Sequence, residues 1–260
     1  VIAGLKLKEL VNAGKVQDSN KDKDGNIKIG YVGAFNYAEV VSGYTAFYLG
    51  MKSIVSNIVM DVQYTNSWYD PVAEGEVANA LMSKGCVIIG QHADSTGAPS
   101  AVQAVKDSGK EVYSVGYNID MLSVAPTAAL TSAQNNWSVL YKATLEKFIA
   151  GEEIPTDFAT GIKDGAVMIS ALGESCAEGT QAAVDAAWAG IKDGSLKVFD
   201  TSKFTVGGET VTTAFGLDTD GYWVNDTGEA IVDGAFQESV LRSAPYFSLR
   251  IDGITELNNN

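Results

Sequence analysis

The run QHADSTG, from Gln91 to Gly97, places a histidine, a carboxylate and a hydroxyl within four positions. His92, Asp94 and Ser95 could form a hydrolytic triad. In a triad each member must hydrogen-bond the next in a fixed order, and the members normally come from separate loops. These three residues are almost consecutive, and no Gly-x-Ser-x-Gly elbow accompanies them. The run therefore favours a polar loop that donates and accepts hydrogen bonds around a ligand. The structural alternative is an Asx-turn made by Asp94 before the next helix.

Aromatic and amide side chains follow other apolar runs in the first 140 residues. Aromatic faces stack on flat ligands, each pair adding about 0.5–1.5 kcal/mol beyond the burial of area. The same rings could equally cover a sheet edge, and both interpretations stay open. Asn118 and Asp120 can recognise amides, hydroxyls or ring nitrogens through paired hydrogen bonds. The candidate ligand-binding residues are Phe35, Trp68, His92, Asp94, Ser95, Tyr117, Asn118 and Asp120.

Motifs for cofactors and metals are incomplete in this chain. The run GYVGAF lacks the glycine spacing of a nucleotide-binding turn. The acidic run from Asp18 to Tyr31 resembles part of a calcium loop. With Asn20 as the first ligand, however, the twelfth position is Tyr31 rather than a bidentate glutamate. We predict a solvated turn there. One histidine and two separated cysteines do not make a zinc set, and Cys86 and Cys176 are predicted to be free structural thiols. We therefore predict no cofactor and no metal.

Five short apolar strands position these candidate residues. Helix-like segments separate most of them, and strands that alternate with helices predict a parallel sheet in an α/β fold. In such sheets ligands bind just beyond the carboxyl ends of the strands, which is where the candidate residues fall. The predicted strands are Ile27–Gly33, Ile58–Tyr64, Cys86–Ile89, Glu111–Val115 and Ala129–Ser132.

Helical spacing and capping signals predict the intervening helices. Asp70-Pro71 is a start signal, because Asp caps a helix and Pro suits its first turn. After Gly151 the character changes. We expect one or two short strands within 157–172 and, from Lys197, a tail of hairpins and loops. The predicted helices span 1–14, 36–55, 70–84, 100–108, 136–150 and 178–192.

Composition limits the classes of partner. The chain has 260 residues and a formal net charge of −14. A nucleic-acid partner is disfavoured, because phosphate neutralisation needs clustered Lys and Arg. No run of about 18 apolar residues is present, so we predict no transmembrane helix. The chain opens with apolar residues at helical spacing and without a cap, from which we expect that upstream sequence has been removed.

Five runs in order carry a resemblance: KIGYVGAF, TNSWYDP, CVIIGQHADSTG, VGYNIDM and APTAALTSAQNNW, together covering roughly residues 1–150. They resemble the basic membrane protein family of substrate-binding lipoproteins, the PnrA/Med-like group that serves ABC importers. The resemblance implies a type I periplasmic-binding-protein fold, with two α/β lobes and a ligand between them. It also implies a purine base or nucleoside as ligand, an ABC permease as partner, no enzymatic activity, and an extracytoplasmic location with a lipid anchor on upstream sequence.

By this resemblance the chain corresponds to the second lobe, with the first lobe largely absent. Residues 1–128 would form the main part of the second lobe. Residues 129–151 would return to the first lobe, and without their partner strands could be displaced. Residues 152–260 would complete the second lobe and add a C-terminal extension.

One departure from the family concerns the ligand. Many nucleoside-binding members carry a G-x-D-x-D-like run whose first Asp can hold ribose hydroxyls. Here Asn118 takes that position, and an amide both donates and accepts, whereas a carboxylate only accepts. The departure favours a free base, or another flat heterocycle, over a nucleoside. A ligand-sensing module of a signalling system, or a binding protein for a sugar or another small polar metabolite, remains an alternative.

Overall fold

A seven-stranded β-sheet forms the centre of the protein, in a computed structural model that describes residues 1–156, 158, 160–215, 228–239 and 246–258. A second sheet is a two-stranded hairpin. In chain order the described strands are β1 Ile27–Gly33, β2 Ile58–Tyr64, β3 Ile88–His92, β4 Tyr113–Tyr117, β5 Ala129–Asn135, β6 Val167–Ile169, β7 Ile231–Val232, β8 Ala235–Phe236 and β9 Ile254–Glu256.

The order of strands in the large sheet is β6-β5-β4-β3-β1-β2-β9. Among the described strands of this sheet only β6 is antiparallel to its neighbour, which confirms the predicted α/β class with a mostly parallel sheet. β2 and β3 flank β1 on opposite sides. The helices that follow β1 and β3 pack on opposite faces of the sheet. A crevice therefore opens between β1 and β3, beyond the carboxyl ends of the two strands.

Helices cover both faces of the sheet. The described α-helices are α1 Ile2–Asn12, α2 Ala38–Lys52, α3 Pro71–Ser83, α4 Gly97–Asp107, α5 Trp137–Ala150 and α6 Thr180–Asp193. Helices α1 and α2 pack over one face, and α3 and α4 over the other. As predicted, Asp70 caps α3, its carboxylate accepting the N–H groups of Val72 and Ala73 at 3.1 and 3.0 Å. None of the described helices is long and apolar enough to cross a membrane.

Three strands end later than predicted. β3 runs to His92 rather than Ile89, β4 to Tyr117 rather than Val115, and β5 to Asn135 rather than Ser132. In β3 and β4 a glycine makes room for a neighbour. A Cβ on Gly90 would lie 2.6 Å from Cδ2 of the Tyr31 ring. His92 and Tyr117 are therefore the last residues of their strands, held by the sheet. Helix α4 also begins at Gly97 rather than Ser100, and α2 at Ala38 rather than Asn36.

Residues 129–151, predicted to lead to another lobe, form β5 and α5. β5 pairs with β4 on one side and β6 on the other, so it lies within the sheet. Helix α5 has no buried residue. Its exposed apolar side chains are Trp137, Tyr141, Leu145, Phe148 and Ile149.

Other local predictions can be compared with the described residues. The acidic run is a turn, in which the Asp22 carboxylate accepts the N–H groups of Asp24 and Asn26 at 2.9 and 2.8 Å. Both cysteines are free, as predicted. One of the short strands expected in 157–172 is β6, but Asp157 and Ala159 lie outside the described residues. The tail contains the β7–β8 hairpin, and much of its predicted turn sequence, 216–227, also lies outside them.

Candidate functional site

Five rings form a continuous row along the carboxyl edge of the sheet. Phe35 and Tyr37 are stacked with ring centroids 5.0 Å apart. Trp68 lies 5.7 Å from Phe35 and 6.3 Å from His92. The His92 ring then lies 4.2 Å from that of Tyr117. We call Phe35, Tyr37, Trp68, His92 and Tyr117 the aromatic row; four of its members were predicted as site residues.

Neighbouring strands bring these rings together. Phe35 and Tyr37 follow β1, Trp68 follows β2, and His92 and Tyr117 end β3 and β4. Parallel pairing sets Gly33 at the end of β1 beside His92. The loop after β3 is tied to the loop after β2, because the Asp94 N–H donates to the Trp68 carbonyl at 2.7 Å. The row therefore follows from sheet order, since parallel strands end at one edge.

Polar groups lie beside the row. The Asn118 amide nitrogen donates to Asp94 Oδ1 at 3.0 Å, and Asn118 has a left-handed backbone with φ of 68°, a conformation that Asn tolerates better than most residues. The buried Gln91 side chain holds the loop after β3 in place, donating to the carbonyls of Ala93 and Ser95 at 2.6 and 2.9 Å. The structure thus brings Asp94 and Asn118 together at the site.

Two predicted site residues serve their own loops instead. Ser95 is 1% exposed, and its Oγ accepts the Gly97 N–H at 3.0 Å. The exposed Asp120 accepts the Leu122 N–H at 2.8 Å, as in an Asx-turn. Among the described side chains, no hydrogen bond joins His92 to Asp94 or Ser95. This geometry disfavours a hydrolytic triad, in agreement with the spacing of these residues in the sequence.

His92 is held neutral in a tight position. It is 8% exposed, and its Nδ1 atom has no hydrogen-bond partner among the described residues. Burial lowers the pKa of the imidazole to about 4, because desolvation disfavours the charged form. Helix α2 approaches the ring at Gly43, where a Cβ would lie 2.4 Å from Nδ1. Glycine at this position is therefore what allows His92 to lie against the helix.

A cavity of about 600 Å³ opens beside His92 and Tyr117. This volume lies in the range of small-molecule sites. Sequence reasoning missed several of its polar lining residues. Glu39 was detectable, because it lies in the first turn of the helix after β1. Glu238 lies some 200 positions further on in the tail, where no pattern marks it. The missed polar side chains include Glu39, Ser42, Asn135 and Glu238.

Acidic groups set the electrostatics of this cavity. Burial, and then the charge of Asp94, raises the pKa of the Glu39 carboxyl. Burial also raises the pKa of Glu238 to about 7, and the Ser42 hydroxyl donates to that carboxyl. Burial raises the pKa of Tyr117 to about 12, with further contributions from Glu39 and Asp94. Charge and desolvation thus act on one small set of neighbouring groups.

A second cavity of about 230 Å³ lies between α2, α6 and the β4–β6 part of the sheet. Apart from Thr131 and the amino group of Val1, its lining is almost entirely apolar. It contains few groups that could orient a polar ligand. We therefore assign the candidate site to the larger cavity together with the aromatic row. No cluster of metal-ligating side chains occurs within the residues described above.

The arrangement can stack a flat ring and hydrogen-bond its edge, which is the chemistry of a binding site. The following comparisons agree with that interpretation. The chain is 34% identical over 179 residues to TsgA13 of Haloferax volcanii, an ABC transporter protein provisionally named as glucose-binding; the match covers 69% of this chain and 44% of that protein. It is 31% identical over 186 residues to a purine-binding protein of Brucella abortus, covering 69% of this chain and 52% of that protein. The chain therefore spans about half the length of these relatives.

The fold of this chain is similar to that of a solved solute-binding protein. An ABC transporter solute-binding protein from Aeropyrum pernix matches with a TM-score of 0.60 at 15% identity, covering 80% of this chain and 63% of that one. The model of the family described as "ABC transporter substrate-binding protein PnrA-like" matches residues 22–201. This is a family of extracytoplasmic substrate-binding proteins rather than enzymes. The predicted resemblance is confirmed, and the chain belongs to the PnrA-like family of ABC transporter substrate-binding proteins.

Proposed function

We propose that this protein is the substrate-binding component of an ABC importer and that it binds a purine base or purine nucleoside for delivery to a membrane permease. The observation that carries the proposal is the aromatic row beside the polar cavity. A purine is flat and has hydrogen-bonding groups on its edges, so it matches a site of neighbouring aromatic rings with amide and carboxyl groups beside them. The purine-binding relative from Brucella abortus supports this ligand class.

The proposed ligand contacts come from four strand ends. Phe35, Trp68 and Tyr117 would stack or pack on the ring, and His92 would hydrogen-bond its edge. Asp94 and Asn118 would act as a pair, since they already share a hydrogen bond. One amide hydrogen of Asn118 is used in that bond, which supports a free base over a nucleoside. Ser95 and Asp120 would hold the loops rather than touch the ligand.

We further propose that a second lobe closes the cleft in the whole protein. Residues 1–128 and 152–260 would form one lobe, and 129–151 would lead towards the other. Helix α5, with its exposed apolar side chains and no buried residue, supports this division. A lipid anchor outside this chain would hold the protein at the membrane. The lobe described here would bury only part of a ligand. Its dissociation constant should therefore be larger than micromolar, which means a binding free energy smaller than about 8 kcal/mol.

A second candidate ligand is a sugar. The relative from Haloferax volcanii is provisionally named for glucose, and aromatic faces can also cover the apolar face of a sugar ring. Glucose lacks the extended flat surface that a row of five rings can contact, which is why a purine is preferred here. Competition between glucose and adenine distinguishes the two ligands directly.

Calorimetric titration with adenine, guanosine, inosine and glucose tests the proposal. We expect the purines to bind and glucose not to compete. The Trp68→Ala variant should weaken purine binding about tenfold, because it removes a stacking face and its buried area. Tyr69→Ala is the matched control, since Tyr69 is the adjacent aromatic residue, is 68% exposed and lies outside the aromatic row. Glucose binding without purine binding, or equal losses in both variants, would contradict the proposal.

A further inference from the structure

The charged groups on the wall of the large cavity are of one sign. Its described lining includes two carboxyl side chains, Glu39 and Glu238, and no Lys or Arg. The two carboxyls come from separate parts of the chain, the first turn of α2 and the segment after β8. Ser42 connects them, because it lies one helical turn after Glu39 and its hydroxyl donates to Glu238. Both carboxyls therefore belong to the lining of one cavity.

Neither carboxyl has a cationic partner in the described part of the chain. Burial raises the pKa of both groups, to about 7 for Glu238. A buried carboxylate is costly unless a donor or a cation compensates it. A ligand that brings such a donor would gain more here than at an exposed carboxylate, because the surroundings have already removed much of the water.

His92 lines the same cavity as a buried ring. Because burial lowers the pKa of the imidazole to about 4, His92 brings no positive charge to offset the two carboxyls at neutral pH.

We propose that Glu39 and Glu238 are specificity-determining residues that recognise an amino group, so that the cavity selects an amine-bearing ring over its oxygen analogue and rejects anions. The inference rests on the proposed function for the location of the site, and it narrows the ligand to amino-substituted rings. The amino group would donate to the carboxyl oxygens, while a ring oxygen or a phosphate in the same place would meet acceptors or negative charge.

Two ligand pairs test this in the chain as it stands: adenine against hypoxanthine, and glucosamine against glucose. Each is titrated by calorimetry or equilibrium dialysis at pH 8, where the Glu238 carboxyl, with a pKa of about 7, is ionised. We expect the amine-bearing member to bind about tenfold tighter in at least one pair. Adenosine should bind and adenosine 5′-monophosphate should not. Equal affinities within the pair that binds, or binding of neither amine, would overturn the proposal.

Variants identify the residues responsible. In the double variant Glu39→Gln/Glu238→Gln the preference should fall to about twofold or less, because glutamine both donates and accepts. Glu76→Gln, at an exposed position of α3, is the control and should keep the preference for the amine-bearing ligand. Circular dichroism melting shows that each variant is folded. A preference that persists in the folded double variant would overturn the assignment.

The outcomes also separate this inference from the proposed function. Binding of both purines without an amine preference leaves the function standing and overturns the inference. A preference for glucosamine without any purine binding overturns the proposed function and leaves the inference standing.

Discussion

The side-chain amide of Asn118 donates to Asp94 Oδ1 at 3.0 Å, across the ends of β4 and β3. Asp94 is also tied through its backbone to Trp68 at the end of β2. One hydrogen bond thus connects the loop after β4 to a loop that is already joined to the aromatic row. An acidic residue in place of Asn118 would set two carboxylates against each other here.

Exchanging the two side chains tests this pair. Asn118→Asp should lower the free energy of unfolding by about 1–3 kcal/mol at pH 7, because it removes a hydrogen bond and sets two like charges against each other. The double variant Asp94→Asn/Asn118→Asp restores one donor and one acceptor, so it should recover most of that loss. Urea unfolding of the wild type, the single variants Asn118→Asp and Asp94→Asn, and the double variant measures the coupling. If the double variant is no more stable than Asn118→Asp, the pair does not stabilise the loops.

The close approach of α2 to His92 gives a second prediction. Replacing a helical glycine by alanine normally stabilises a helix by roughly 0.5–1 kcal/mol. Gly43→Ala should instead destabilise the protein by about 1–3 kcal/mol, because the added Cβ would lie 2.4 Å from His92 Nδ1 and the helix or the ring must move. Thermal unfolding with Gly43→Ala, His92→Ala and the double variant checks this.

In the His92→Ala background the nearest remaining neighbour of the added methyl group is the Tyr31 hydroxyl at 3.3 Å, which needs to move only a few tenths of an ångström. Gly43→Ala should then be close to neutral. The same loss with and without His92 would show that another neighbour, not the imidazole, requires glycine at this position.

Burial of Glu238 predicts a pH dependence of stability. Burial raises its pKa from the ordinary value of 4.5 to about 7, so the folded protein holds this proton more tightly than the unfolded chain. The stabilisation is complete below pH 4.5 and is lost as the pH rises through 7. Between pH 5.5 and 8 the loss from this group should be about 2 kcal/mol.

The Glu238→Gln variant cannot titrate at this position, so its stability relative to wild type should rise by about 2 kcal/mol over the same interval. His92, whose pKa is lowered by burial, has the opposite dependence, but it is present in both proteins and cancels in the difference. Urea unfolding of both proteins at pH 5.5 and 8 measures this difference in the free energy of unfolding. A difference that is constant with pH would mean that Glu238 is ionised in the folded protein throughout.

Much of the fold could be predicted because it depends on local patterns. β1 and β2 have the predicted bounds, and Asp70 caps α3 as its side chain and the following proline indicate. The ends of β3 and β4 were predicted too early, before Gly90 and Gly116. The role of these glycines is to leave space for Tyr31 beside Gly90 and Met121 beside Gly116, which the local strand pattern does not show.

The candidate site divides in the same way. Phe35, Trp68, His92 and Tyr117 were identifiable because a parallel sheet sends its strand ends to one edge. Glu238 was not, since its position in the cavity depends on how the tail packs against α2 through Ser42. Ser95 was misleading for a related reason. Its hydroxyl is used locally, and hydrogen bonding to a helix start is not distinguishable from ligand binding in the sequence alone.

The sequence by itself determined the alternation of strands and helices, and with it the edge of the sheet at which a ligand would bind, because these follow from short-range periodicity and from the chain connections of parallel strands. Only the tertiary structure decided which groups meet there. The neutral His92 against Gly43, the bond between Asn118 and Asp94, and the two carboxyls on one wall of the cavity all depend on packing between distant segments, which determines both the distances and the desolvation that shifts each pKa.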